Sequence, residues 1–235
     1  MARRTKEQAE ATRNGILDAA ERVFVKRGVA RTTLQDIASE AGVTRGAVYW
    51  HFDDKAVLCD EMFRRVTLPF EAELALLDQR DSNRPLGDLR DFMLSALRRT
   101  AADPQIRRVF EIAMLKVEIT DEMSAIVLRQ RRNIDNWITR VGRQFELAKK
   151  RGTVGESIDA EAAARAMWIM VDGLLRTWMF YPGGFDVVDQ GQRMIDTYLL
   201  GLQSRWPAMH ISKRTGDSRD TKRAGTRASI SRQIP

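Results

Sequence analysis

The 235-residue chain predicts an all-α fold, and three observations carry that expectation. Apolar residues recur at 3.6-residue spacing from end to end. Period-two alternation is rare and β-branched residues are scattered, so strand signals are nearly absent. Capping residues, glycines and prolines punctuate the periodic stretches at helical lengths, giving about nine helices.

The first helix is expected over residues 8–27, with Ile16, Ala19, Ala20, Val23 and Phe24 inward and Gly28 closing it as a C′ residue. Thr32 or Thr33 caps the second, Asp36 is a weak capping-box partner, and Leu34, Ile37 and Ala38 form its buried stripe. Ala41-Gly42-Val43 is the turn, where glycine tolerates a left-handed backbone. Thr44 caps the third helix. On a helical wheel Ala47, Val48 and Phe52 fall in one sector, whereas Arg45, Gly46, Tyr49 and Trp50 fall opposite. A fourth helix starts after Asp53-Asp54, with acidic residues at its positive end, and runs from Lys55 towards Leu77 with a kink at Pro69.

Residues 81–85 read as a loop before a helix over 86–101. Asp103-Pro104 starts another with proline at N1, reaching about residue 116. One long helix is expected over 120–151, ended by Gly152, and two more over 159–180 and 186–206, separated by Pro182-Gly183-Gly184. From Ser212 onward polar and basic residues prevail, and that stretch reads as a disordered tail. The organisation is a helix-turn-helix domain at 1–54, a second helical domain at 55–211 and a basic tail at 212–235.

Composition excludes several classes. The single Cys59 rules out an intramolecular disulfide and agrees with a reducing cytoplasm; its apolar surroundings favour a packed thiol. No run of eighteen apolar residues occurs and the N-terminus carries no apolar core, so neither a membrane span nor a signal peptide is expected. The two histidines, His51 and His210, have no second ligand at metal spacing, and no phosphate-binding glycine loop or nucleophile elbow occurs. The expectation is therefore no enzyme, no metal and no cofactor. The net charge of +7 is weak evidence for DNA binding: residues 205–235 contribute +6, residues 1–55 only +2, and the remainder −1.

The claim rests instead on residues 32–55. One guanidinium, one gap and two aromatics with polar tips form a face suited to base edges and phosphates rather than to solvent, the plain alternative being a helical hairpin with a protein-binding face. Thr44-Arg45-Gly46-Ala47-Val48-Tyr49-Trp50-His51-Phe52, following Phe24 and Gly28, resembles the helix-turn-helix signature of tetracycline-repressor-type (TetR) regulators, and the branch that represses multidrug efflux pumps is the nearest likeness. The opening through Thr12-Arg13 and Ile16-Leu17-Asp18-Ala19-Ala20 is similar to that branch, as are Val171-Asp172-Gly173-Leu174 and Trp178.

The expected function is a cytoplasmic homodimeric repressor on a palindromic DNA operator, released by a lipophilic molecule such as an antibiotic, a dye or a flavonoid. Arg45 is the expected base reader, with Thr44, Gly46 and Tyr49 approaching base edges or backbone. Thr33, Trp50, His51 and Lys55 are candidates for phosphate, and Arg3, Arg4 and Lys6 for the adjacent backbone or minor groove. The resemblance implies a drug cavity among the later helices. Trp168, Val171, Asp172, Leu175 and Arg176 share one broad helical face, with Asp172 and Arg176 spaced for an ion pair. Phe63, Val66, Phe70, Ala96, Phe110, Met114, Trp137 and Val141 are placed beside it, as a soft aromatic and methionine wall. The Phe110 and Met114 wall offers no hydrogen-bonding group, which argues against strong polar recognition there. Met167, Met170, Leu174, Trp178, Met194, Ile195, Tyr198 and Leu202 exceed what one buried face needs and are candidates for a four-helix dimer interface. An effector-responsive activator and an effector-free structural DNA binder are the alternatives; a filled core would favour the latter.

Overall fold

The computed structural model describes residues 2–118 and 124–203; the side chains of residues 2–5 and 125 lie outside the description. Among the described residues there are nine α-helices and no strand: α1 Ala2–Arg27, α2 Leu34–Ala41, α3 Arg45–His51, α4 Lys55–Asp78, α5 Pro85–Ala102, α6 Pro104–Glu111, α7 Ser124–Lys150, α8 Ala160–Phe180 and α9 Val187–Gln203. Residues 212–235, expected as a tail, lie outside the described residues, as do the side chains of Arg3 and Arg4.

Local chemistry sets most of the boundaries. Gly28 closes α1 at φ 79°, and the Asp54 carboxylate caps α4 by accepting from the Val57 amide at 2.7 Å. Asp103 accepts from the Gln105 and Ile106 amides, and Pro104 fills the first turn of α6, where a missing N–H costs nothing. Two expectations shift. Helix α1 begins at Ala2, earlier than residue 8, and the helix expected to reach residue 116 changes at Ile112 into a π-helical segment, Ile112–Lys116. A wider i→i+5 turn leaves no mark in a 3.6-residue pattern.

Two apolar clusters organise the interior. The first joins Ile16, Phe24, Ile37, Val48 and Phe52 to Leu58, Cys59 and Met62 of α4, Val109 of α6, Ile112 of the π segment and Ile126 of α7. The second gathers Leu89, Leu97, Val141, Phe145, Met167, Leu174 and Ile195 from α5, α7, α8 and α9. The core of the helix-turn-helix therefore continues past residue 54 into α4, α6 and α7. Cys59 is fully buried, as its apolar neighbours imply.

Candidate DNA interface and ligand cavity

The N-terminal unit presents a helix whose one side is locked and whose other side is bare. Thr33 and Asp36 form a reciprocal capping box: the Thr33 hydroxyl accepts from the Asp36 amide at 3.2 Å, and the Thr33 amide donates to the Asp36 carboxylate at 2.9 Å. The Thr33 hydroxyl also donates to Asp36 Oδ2 at 2.7 Å, and that bond first, then the Thr33 amide, then the Arg27 hydrogen bond and charge, hold the Asp36 carboxyl below the usual range. Gly42 turns the chain at φ 67°, and the Thr44 hydroxyl accepts from the Ala47 amide at 3.1 Å to start α3. Val48 and Phe52 are fully buried, which fixes the rotation of α3 and turns Arg45, Gly46, Tyr49 and Trp50 outward.

Trp50 is 73% exposed, a large apolar surface that a solvated helix has no reason to show. A Cβ at Gly46 would meet only the Thr44 hydroxyl, at 3.8 Å, so the gap leaves the backbone open to close approach. Arg45 donates to the Tyr49 hydroxyl at 3.0 Å. His51 sits half-buried, edge-on to Trp50 at 4.5 Å between centroids; burial, and then the nearby Arg13 charge, push its pKa down.

Lys55 corrects the sequence expectation. Its side chain is buried, and its ammonium donates to the carbonyls of Ala30 at 3.2 Å and Thr32 at 3.0 Å. It ties the first turn of α4 to the loop between α1 and α2.

The C-terminal part holds two adjoining, partly open chambers of about 290 and 220 Å³. Phe70, Ala96, Trp137, Val171 and Leu175 line the larger, Phe63 and Arg176 the smaller, and Phe110, Met114, Trp168 and Asp172 both. Trp137 and Trp168 stack edge to face at 5.2 Å, and Phe70 and Phe110 pack at 6.0 Å. The expected ion pair is present, Arg176 Nε to Asp172 Oδ2 at 2.7 Å.

Two expected wall residues are elsewhere. Val66 points into the N-terminal cluster and Val141 is fully buried among α5 and α8, because each falls on the core side of its helix. Polar groups missed by the sequence reading enter from α7, as Asn133, Asn136 and Arg140 beside Trp137, and from α5 as Thr100. Their spacing of three, four and seven residues marks one helical face and was the available signal. The cavity is thus more polar than Phe110 and Met114 imply. Asp60, which lines the smaller chamber, has its pKa raised by burial despite an ion pair with Arg129 at 2.5 Å.

The candidate dimer residues divide. Met167, Leu174, Trp178 and Ile195 are buried inside the chain's own second cluster. Met170, Met194, Tyr198 and Leu202 are half-buried, with the Tyr198 hydroxyl donating to the Ala163 carbonyl at 2.7 Å. The outward stripe of α8 is Ala162, Ala166, Ile169, Gly173, Thr177 and Phe180, joined on α9 by Thr197 and Leu200. Ile169 at 63%, Phe180 at 81% and Leu200 at 63% exposure are the apolar residues that need a cover. The richest apolar faces of α8 and α9 fill the core first.

Among the described residues no group of three His, Cys, Asp or Glu side chains could hold a metal, and no helix is long and apolar enough to cross a membrane. Residues 16–62 match the bacterial regulatory proteins of the tetR family, and residues 84–204 match the C-terminal region of MAATS-type transcriptional repressors. The chain is 42% identical over 201 residues to the HTH-type transcriptional regulator TtgR of Pseudomonas putida, covering 85% of this chain and 95% of that one. It superposes on NalD, the secondary repressor of the MexAB-OprM multidrug efflux pump in Pseudomonas aeruginosa, with a TM-score of 0.77 at 34% identity, over 85% of this chain and all of that one. It superposes on the triclosan complex of SmeT, a Stenotrophomonas maltophilia efflux-pump repressor, with a TM-score of 0.75 at 36% identity, over 81% of this chain and 91% of the other. With residues 16–62 and 84–204 both matched, and with a relative 42% identical covered over 95% of its length, the chain belongs to the tetR family of DNA-binding transcriptional regulators.

Proposed function

We propose that this chain is a cytoplasmic homodimeric repressor of a multidrug efflux operon that leaves its palindromic operator when a lipophilic aromatic molecule fills the cavity. The observation that carries the reading is the cavity itself: two joined chambers walled by Trp137, Trp168, Phe70 and Phe110 and crossed by α4, the helix that also anchors the reading head through Lys55. An effector-free structural protein has no use for such a space.

Each subunit presents α3 to a major groove. Arg45 reads a guanine, Thr44, Gly46 and Tyr49 approach base edges or backbone, and Thr33, Trp50 and His51 meet phosphates. The exposed stripes of α8 and α9 from two copies form a four-helix contact, with Ala162, Ala166 and Gly173 allowing close approach and Ile169, Phe180 and Leu200 filling it. Inside the cavity, the aromatic pairs sandwich a planar ligand while Asn133, Asn136 and Asp172 bond its polar substituents. A ligand that wedges α4 away from α7 and α8 changes the spacing of the two reading heads; a coupling of about 1–3 kcal/mol is enough to alter occupancy. The likeness to the NalD and SmeT repressors, one of them in complex with triclosan, supports the reading.

The test is operator occupancy in the presence of triclosan, with Trp168→Ala as the control: the variant should repress and fail to release. Normal release by a Trp168→Ala protein would contradict the cavity assignment.

A further inference from the structure

The loop between α1 and α2, residues 28–33, feeds the cap of the reading motif, and both elements flanking the cavity grip it. Lys55, the first residue of α4, bonds its carbonyls at Ala30 and Thr32. Its amides are held from the opposite side. The Val29 amide donates to the Lys116 carbonyl at 3.1 Å, and the Ala30 amide to the Glu118 carboxylate at 3.1 Å. The same carboxylate packs on Gly28, where an added Cβ would lie 3.2 Å from Glu118 Oε1.

Lys116 ends the π segment and Glu118 follows two residues later; the segment's middle residue, Met114, lines both chambers. The Met114 carbonyl accepts from Arg176 Nη1 at 2.6 Å, while Arg176 Nε is held by Asp172. Arg176 thus latches the π segment to α8 from within the ligand site. A π turn is a rare geometry, found mostly where function requires it, and here an external guanidinium supports one of its carbonyls.

We propose that the stretch from Met114 to Glu118, the end of the π segment and the two residues after it, is a second transmission arm from the cavity to the DNA head, with Arg176 as its latch and Glu118 as a positioning residue for the Val29–Ala30 turn. The inference rests on the proposed release by a cavity ligand. A ligand that draws Asp172 or Arg176 to itself frees the Met114 carbonyl; the π turn relaxes, Lys116 and Glu118 withdraw, and the loop keeps only its hold on Lys55. The cap at Thr33 then loses its fixed approach, and α2 and α3 tilt independently of any swing of α4.

Residue-resolved amide hydrogen exchange on the full-length protein tests this. Without ligand, Arg176→Ala and Glu118→Ala should each speed exchange at Val29 and Ala30 about tenfold while the Ala47 and Phe52 amides stay protected. Glu118→Gln, which keeps an acceptor oxygen, should restore much of the protection. With triclosan as probe, wild type should show the same acceleration, and Glu118→Ala should bind triclosan within about threefold of wild type yet show a smaller ratio between free and triclosan-loaded operator affinities. Unchanged protection of Val29 and Ala30 in Arg176→Ala would overturn the relay. A wild-type chain that binds no triclosan counts against the release reading alone, because the ligand-free comparison still decides whether Arg176 controls the loop.

Discussion

Arg45 and Tyr49 hold one another one turn apart on the outer face of α3: the guanidinium donates to the phenol oxygen at 3.0 Å and lies 5.3 Å from the ring centroid. Both side chains are exposed, so the pair costs little to open and orients the guanidinium before DNA arrives. Replacing Arg45 by Ala should weaken specific binding by about 1–3 kcal/mol and relax preference at one base pair per half-site. Tyr49→Phe keeps the ring, removes the hydroxyl and should cost less. Gel-shift titration on single-base operator variants distinguishes these outcomes; equal weakening on every sequence would make Arg45 a phosphate contact.

Lys55 yields an opposed pair of outcomes. If its role is to satisfy the Ala30 and Thr32 carbonyls, Lys55→Met leaves them buried without a donor and should lower stability by about 1–3 kcal/mol in thermal melting. The slope of log affinity against log salt should not change. A slope reduced by about one, with normal melting, would return Lys55 to the phosphate backbone.

Trp168 and Val141 lie close on the sequence-predicted cavity wall but have different fates in the fold. Trp168→Ala should weaken triclosan binding while ligand-free operator affinity stays within about threefold, because Trp168 is half-buried beside an existing space. Val141→Ala, in a fully packed position, should instead cost ~2 kcal/mol of stability and leave ligand affinity nearly unchanged. Calorimetric titration beside melting of the same two variants checks the contrast.

Asp196 is gripped bidentately by Arg90 across α5 and α9, and that hydrogen bonding lowers its pKa, as Arg13 lowers that of Glu61. A carboxyl whose folded pKa lies below its unfolded one contributes stability that is complete above the unfolded value, near 4, and is lost as pH falls through the folded value. Melting temperature should therefore drop steeply below about pH 4. Asp196→Asn should flatten that limb, and an unaltered acid limb would show the pair to be idle.

The helices and caps were legible because each rests on local chemistry: Thr33 with Asp36, Gly42, Thr44 and Asp103-Pro104 declare themselves within four residues of the bonds they make. The outward face of α3 followed from the burial of Val48 and Phe52. What escaped depends on neighbours remote in sequence. Lys55 looks like any surface lysine until the loop at residues 30–32 folds over it, and the core claims Met167 and Ile195 only once α8 and α9 have packed. The π segment has no signature in the local sequence, and its carbonyls bond to Arg176 and to the α1–α2 loop, both remote in the chain. Asn133, Asn136 and Arg140 were readable as one face with Trp137, but polar residues on a helix are ordinarily solvated, and only the cavity distinguishes them.

Release of DNA by a molecule in the cavity is best measured by anisotropy on a duplex selected by the purified protein from a random pool, titrated with and without saturating triclosan while calorimetry confirms occupancy. The dissociation constant should rise at least about tenfold when the cavity fills, and Trp168→Ala should abolish the rise. Full occupancy with an unchanged dissociation constant, or a protein that selects no sequence, would contradict a ligand-released repressor.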